Sequence, residues 1–389
     1  MNDIRANDLG HSEWDVVIIG AGVAGASAAI LAARNGLRTL LLEAKKFPRE
    51  KVCGGCLNQR ALQSLERLGV LDSLRQSGAK TINEFHIQIG GKSFRWPIPS
   101  MLSIRRSTMD QILVDFATKA GAIFFDQTKA TVVPRSEATT SGSPLRQVSI
   151  QVNQQTVSVF ARTVLVADGL TRSSLHRDKR WGSFVAPNSL IGVQQIFAID
   201  SMEPEKSQSC LSMFVERDGY VGVSRTDGPL VNVAAAISPE TIRANMSISD
   251  VIRGLSIGSL PPNVTLDSNT TWLATPALTR YSDMVADERV FLMGDAIGYV
   301  EPFTGEGMSW ALASAEAVIP LVLENLRQGW SPKLAIHWTK WIQHQRKRKQ
   351  GTCRWIARKL RHPQLALCIV RLFNVLGPLR SAIIKKVCS

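Results

Sequence analysis

Gly20-Ala21-Gly22-Val23-Ala24-Gly25 spaces its glycines as G-x-G-x-x-G, and Glu43 follows 18 residues after the last of them. That spacing suits the pyrophosphate of a dinucleotide. Gly20 allows a tight turn, Gly22 lets backbone approach a phosphate, and Gly25 lets a helix pack closely on a strand, with Ala24 between them. Glu43 can accept from both hydroxyls of an adenosine ribose and disfavours a ribose 2′-phosphate. Taken alone, the motif could also be a glycine-rich turn that only permits packing.

The elements around it fit a binding role. Asp15–Ile19 is a short apolar run of the kind buried on both faces of a parallel sheet. Ala26–Asn35 is an Ala-rich helical stretch closed by Gly36, and Leu37–Leu42 is a second apolar strand that ends at Glu43. Two later strands end the same way. Val164–Ala167 runs into Asp168-Gly169, and Arg289–Met293 runs into Gly294-Asp295-Ala296, followed by Pro302–Met308 and an Ala-rich helix near Ser309.

These three motifs, in this order over roughly residues 14–325, resemble the FAD-dependent aromatic hydroxylases and their relatives, the geranylgeranyl reductases and flavin halogenases. Arg106–Leu113 is similar to that family's Arg-x-x-x-Asp-x-x-Leu helix start. The resemblance implies non-covalent FAD. Gly20, Gly22, Ala24, Gly25 and Glu43 would serve its ADP half, Arg106 would reach the pyrophosphate, and Asp168 would belong to the cofactor site. Asp295 would accept from the ribityl chain. A helix opened by Gly305, Gly307 and Met308 would face the flavin C2 carbonyl, where reduced flavin carries negative charge. Where the family often has Asp-Gly-x-x-Ser, this chain has Arg172 and then Ser173, so the local loop is expected to differ.

Phe47–Leu57 is similar to the Cys-Gly-Gly stretch of geranylgeranyl reductases, which makes Cys53, Gly54 and Gly55 candidates to line the flavin. Cys53 and Cys56 also form a C-x-x-C, so a redox pair and plain packing stay open as alternatives. No second Cys/His pair has matching spacing, and no metal site is expected.

The fold class that follows is α/β: a dinucleotide-binding, Rossmann-like FAD domain (14–82, 101–185, 274–325) with an inserted β-sheet substrate domain (83–100, 186–273) and a basic C-terminal helical region (326–389). Glu84–Ile98 and Ser189–Ile237 carry the β-rich patterning, for example Leu211, Met213 and Val215. The Tyr-x-Trp-x-Phe-Pro strand of prenyl reductases is replaced here by Tyr220-Val221-Gly222-Val223-Ser224-Arg225. The Trp-x-Trp-x-Ile-Pro motif of halogenases is also absent.

Residues 325–389 hold 15 of the 46 Lys and Arg and none of the 32 Asp and Glu, so the rest of the chain is nearly neutral. This tail mixes Trp338, Trp341, Ile342, Trp355, Ile356 and Leu360 with Arg346-Lys347-Arg348-Lys349. The mixture suits an anionic lipid surface, with a helix docked on the FAD domain as the alternative; no nucleic-acid partner is expected. Six cysteines do not form a disulfide framework at this length, the N-terminal residues lack a signal-peptide core, and no run of about 18 apolar residues is present. The expected setting is cytoplasmic, free or at a membrane surface. The six scattered histidines offer no catalytic dyad, and no general base can be named. The expected activity is NAD(P)H-reduced hydroxylation of an aromatic or phenolic lipid, with NAD(P)H as a transient reductant. Saturation of polyprenyl double bonds, or a non-catalytic FAD-binding partner protein, are the alternatives.

Overall fold

The computed structural model describes residues 13–138, 144–152, 155–199, 209–244, 247–256, 260–261, 264–267, 269–301, 305–347 and 367. In the first of its two large sheets, Val290–Leu292, Gln155–Val166, Glu13–Ile19, Thr39–Leu42 and Ile123–Phe125 lie side by side and parallel. Their side chains are buried on both faces, so these segments read as unbroken apolar runs and not as alternations. The first strand starts at Glu13 and the second at Thr39, a residue or two from the expected bounds.

Register explains why distant motifs meet. Ile19 pairs with Leu42 and with Val166, Val166 pairs with Leu292, and Leu42 pairs with Phe125. The strands therefore end level, and the residues that come next are Gly20, Glu43, Ala167-Asp168 and Met293-Gly294-Asp295. They gather at the carboxyl edge, where open parallel sheets bind ligands.

The helix Val23–Arg34 has ten of its twelve residues buried, because it is wedged between this sheet and the helices Arg106–Lys119 and Gly307–Gln328. Alanine is what allows so close an approach. A Cβ on Gly25 would stand 1.8 Å from Gly20 O, so that position admits only glycine.

The second sheet runs in the order Leu273–Ala277, Ile191–Ala198, Leu230–Ile237, Gly219–Thr226, Cys210–Glu216, Lys80–Ile89, Lys92–Ser103, Cys56–Leu57. The hairpin from Lys80 to Ser103 is longer than the 83–100 segment read from sequence, and Cys56–Leu57 joins the sheet from within residues 14–82. One face buries Phe214, Val221, Val223, Val231 and Val233 under Ile252 and Leu255 of the helix Ile248–Ser256. The opposite face, towards the first sheet, is built from small residues: Gly192, Gly222, Ala234 and Ala236. That choice leaves a space between the two sheets.

Gly307–Gln328 is long and apolar enough to cross a membrane, but Leu312, Ala315, Val318 and Val322 are buried inside the protein. It is a core helix. Pro332–Gln345 corrects part of the lipid-surface expectation. Trp338 is fully buried, its Nε1 donates to Leu292 O (3.1 Å), and it meets Phe291 edge-on, while Ile342 is buried with it. Trp341 stacks on Trp338 with ring centroids 5.0 Å apart. These side chains cover Phe291 on the short strand Val290–Leu292. Arg346 donates to Ile297 O (2.8 Å) and Ser282 O (3.2 Å). Arg348, Lys349, Trp355, Ile356, Leu360, Cys368 and Cys388 lie outside the described residues, as do Pro302, Phe303 and Thr304.

Candidate active site

A continuous trough runs from the carboxyl edge of the first sheet to the space beneath the second. Gly20, Glu43, Arg49 and Asp168 line its outer half. Ala24, Cys53, Gly54, Gly55, Arg106, Asp295, Gly305, Gly307 and Met308 line its inner half, and Gly22, Lys51 and Ala167 border both. Gly25 lies beneath the trough floor.

At the outer end Gly20 adopts φ +100°, and a Cβ there would meet Ala167 O at 2.4 Å. Glu43 is fixed from both sides: Oε2 accepts from Ala21 N–H (3.2 Å) and Oε1 from Lys45 N–H (3.1 Å). Asp168 Oδ2 accepts from Ser174 N–H (2.8 Å), and its Oδ1 is buried with no hydrogen-bond partner among the described residues. Burial pushes the Asp168 pKa up. The expected loop departure is resolved by Arg172, which is left-handed (φ 49°) and donates to Trp181 O, Gly182 O and Ser282 Oγ (2.9 Å). Burial brings its pKa down to about 10.

At the centre, Gly22 caps the helix Val23–Arg34 with extended backbone and no side-chain hydrogen bond, which leaves first-turn N–H groups available to an anion. A Cβ on Gly22 would stand 3.4 Å from Arg106 Nη2 and 3.6 Å from Arg49 Nη2. Two guanidinium groups thus converge on the helix end. Arg106 forks onto Asp110 (3.0 and 2.7 Å), while Arg49 bridges Asp110 (2.8 Å) and Glu43 (3.0 Å). Burial works against the Arg106 charge, yet Asp110 holds its pKa above the ordinary value.

At the inner end Asp295 accepts from Lys51 Nζ (3.0 Å). Gly294 is left-handed (φ 54°), and a Cβ there would press Ala24 Cβ at 2.9 Å. Gly305 backs onto Cys56, and Gly307 and Met308 open the long helix. Burial first, and Cys53 second, push the Cys56 thiol up to about 12. It stays protonated at neutral pH, as a packed thiol or the buried member of a redox pair would be.

Arg49, Lys51 and the ion-pairing of Asp110 went unread in the sequence. Cations in an irregular segment carry no periodicity, and the one available signal was two basic residues just before Cys-Gly-Gly.

The trough fits FAD. It offers an acid and an orphaned acceptor at one end, two guanidinium groups beside a bare helix N-terminus at the middle, and a backbone-lined recess at the other. When bound, FAD would supply two-electron transfer between a reductant and a second substrate. Arg49, Arg106 and the free N–H groups of the helix end would face the phosphates, and the second sheet would lie opposite the cofactor.

Comparison with known proteins agrees. Residues 13–333 match the family model described as FAD binding domain. The menaquinone reductase of Mycobacterium tuberculosis H37Rv is 27% identical over 364 residues, covering 82% of this chain and 79% of that protein. The digeranylgeranylglycerophospholipid reductase of Thermoplasma acidophilum is 23% identical over 374 residues, covering 89% and 87%. Among solved structures, the myxobacterial chondrochloren halogenase CndH has the same fold, with a TM-score of 0.76 at 17% identity over 89% of this chain and 82% of that one. A family match across most of the chain, on residues that build a trough of this shape, leads to one conclusion: the chain belongs to the FAD-binding domain family and is an FAD-dependent oxidoreductase.

Proposed function

We propose that the protein is an NAD(P)H-reduced monooxygenase that hydroxylates an aromatic ring on a hydrophobic lipid. The observation that carries this reading is the roof of the inner recess. Across neighbouring strands, Gln194, Ala234, Gly222 and Met213 stand in register, flanked by Gly192 and Ala236. Gly222 occupies the place of the Trp in the Tyr-x-Trp-x-Phe-Pro strand of prenyl reductases. Leu211, Met213 and Leu278 add apolar side chains to a wall that also holds Tyr220, Tyr299 and Glu301, which suits a flat apolar group that carries a polar substituent such as a phenol. A reduced nicotinamide would deliver its hydride in a transient encounter.

A second reading is saturation of an isoprenoid double bond. The names of the two relatives above favour it, since both are reductases. Turnover under labelled dioxygen separates the two. Hydroxylation places one labelled oxygen atom in the product and the other in water. Saturation adds two hydrogens, needs no oxygen, and would overturn the leading reading. The same proposal sets the protein at an anionic membrane surface, reached through the basic residues after Arg346.

A further inference from the structure

The segment from Arg49 to Cys56 is held by different halves of the molecule at its two ends. Arg49 and Lys51 are ion-paired to Glu43, Asp110 and Asp295 of the cofactor domain. Beyond Val52 the chain belongs to the second sheet. Gln194 Oε1 accepts from Cys53 N–H (3.1 Å), Gln194 Nε2 donates to Asn232 Oδ1 (2.7 Å), and Asn232 Nδ2 donates to Cys53 O (3.0 Å). The three bonds close a ring through both backbone groups of one residue.

Gln194 and Asn232 are 2% and 3% exposed. Two buried amides are tolerated only because they are bonded, and an apolar pair of the same shape would leave the N–H and C=O of Cys53 without these partners. Their use here therefore points to what they hold. Gly55 is left-handed (φ 73°), and a Cβ there would meet Ile104 O at 3.0 Å and Asn232 Nδ2 at 3.4 Å. Its carbonyl accepts from Ile104 N–H (3.0 Å), and its N–H faces Cys53 Sγ (3.4 Å). Among residues 53–55, the Gly54 N–H is the one amide with no hydrogen bond to the described residues. Gly54 lines the recess, and a Cβ on it would meet no atom within 4 Å.

We propose that Gln194 and Asn232 are positioning residues for the flavin: by clamping Cys53 they hold the Gly54 N–H in the recess as a fixed donor to the isoalloxazine ring. The proposal rests on reading residues 53–55 as the flavin-lining segment. A preorganised donor favours the form of the ring that carries more negative charge, which is the reduced one. The clamp is anchored in the sheet that roofs the substrate space, so the donor is fixed relative to that sheet.

The test uses purified holoprotein. Gln194→Met and Asn232→Leu remove the clamp at nearly constant volume. Trp272→Phe is the control, because it loses the Trp272 Nε1 bond to Ser249 Oγ (3.1 Å) away from the recess. Both clamp variants should keep stoichiometric FAD. Spectroelectrochemical titration should show roughly a tenfold loss in relative stabilisation of the reduced flavin, about 30 mV for a two-electron couple. The double variant should shift little further, because the ring acts as a unit. Trp272→Phe should melt lower with an unmoved potential. Clamp variants that melt lower at the wild-type potential, or that lose FAD, would overturn the proposal. If neither variant folds, amide exchange in the wild-type holoprotein decides. Peptides spanning 52–57 should exchange as slowly as Ile191–Ala198, and exchange far faster than that strand would overturn it. Wild-type protein without flavin would instead overturn the cofactor site itself.

Discussion

Gly22 stands where a side chain would project between two guanidinium groups and the open end of a helix. Gly22→Val would put a branched side chain in the space reserved for the pyrophosphate. Asp295→Ala would remove the acceptor now held by Lys51. A charge-assisted hydrogen bond is worth about 1.5–3 kcal/mol, so Asp295→Ala should bind FAD ten- to a hundredfold more weakly by fluorescence titration, and Gly22→Val should lose FAD by steric exclusion. Wild-type affinity for Asp295→Ala would remove this residue from the site. Cys53→Ser is nearly isosteric, and Cys53 is engaged mainly through its backbone. FAD should be retained and turnover should fall only modestly. A drop of about a thousandfold with FAD still bound would favour a redox role for the Cys53 thiol. The glycines and acids of the trough were legible in sequence because their residue types encode backbone constraints. Arg49 and Lys51 were not, because only the fold brings them to Glu43 and Asp295.

At the scale of elements, the site exists because four parallel strands end level. Each of the three motifs was visible as an apolar run closed by Gly, Asp or Glu. Their convergence was not visible, since it depends on registers such as Ile19 with Val166 and Val166 with Leu292. The edges of the second sheet were equally hidden. Cys56–Leu57 is too short for any periodicity, and Lys80–Ile82 reads as polar sequence until it pairs with Met101–Ser103. The join between the sheets depends on Asp227, in the turn after Gly219–Thr226. It accepts from Arg105 N–H (2.7 Å), Arg105 Nε (2.9 Å), Thr108 Oγ1 (2.6 Å) and Thr226 Oγ1 (2.9 Å), and so caps the helix Arg106–Lys119 from the other domain. Burial pushes its pKa up, but these donors prevail and hold it below the ordinary carboxylate value. Its contribution is therefore complete above about pH 4 and is lost as pH falls through the depressed folded value. Asp227→Asn should lower stability by about 2 kcal/mol at neutral pH and flatten the acid limb of the melting-temperature profile. An unchanged acid limb would mean that Asp227 carries no such linkage.

For the molecule as a whole, charge is partitioned between a nearly neutral body and a basic C-terminal stretch. Trp338 and Ile342 serve the core, so the membrane contact proposed above is assigned to the basic residues after Arg346. Removing residues 348–389 should abolish co-sedimentation with anionic vesicles while leaving FAD bound. Binding by the full chain should weaken as the Debye length shrinks from about 10 Å to 3 Å with added salt. Equal recovery on neutral and anionic vesicles, at any salt, would assign the basic stretch another role. The proposed function requires that the trough hold an FAD able to accept electrons from NAD(P)H and to pass them on in a reaction that needs oxygen. Anaerobic mixing of the purified protein with NAD(P)H, followed by dioxygen in the presence of a phenolic lipid, tests it in one flavin absorbance trace. The account predicts bleaching by NAD(P)H and recovery with dioxygen, together with hydroxylated product. Bleaching that is reversed by a polyprenyl alkene under strict anaerobiosis, or a protein that carries no FAD to bleach, would contradict it.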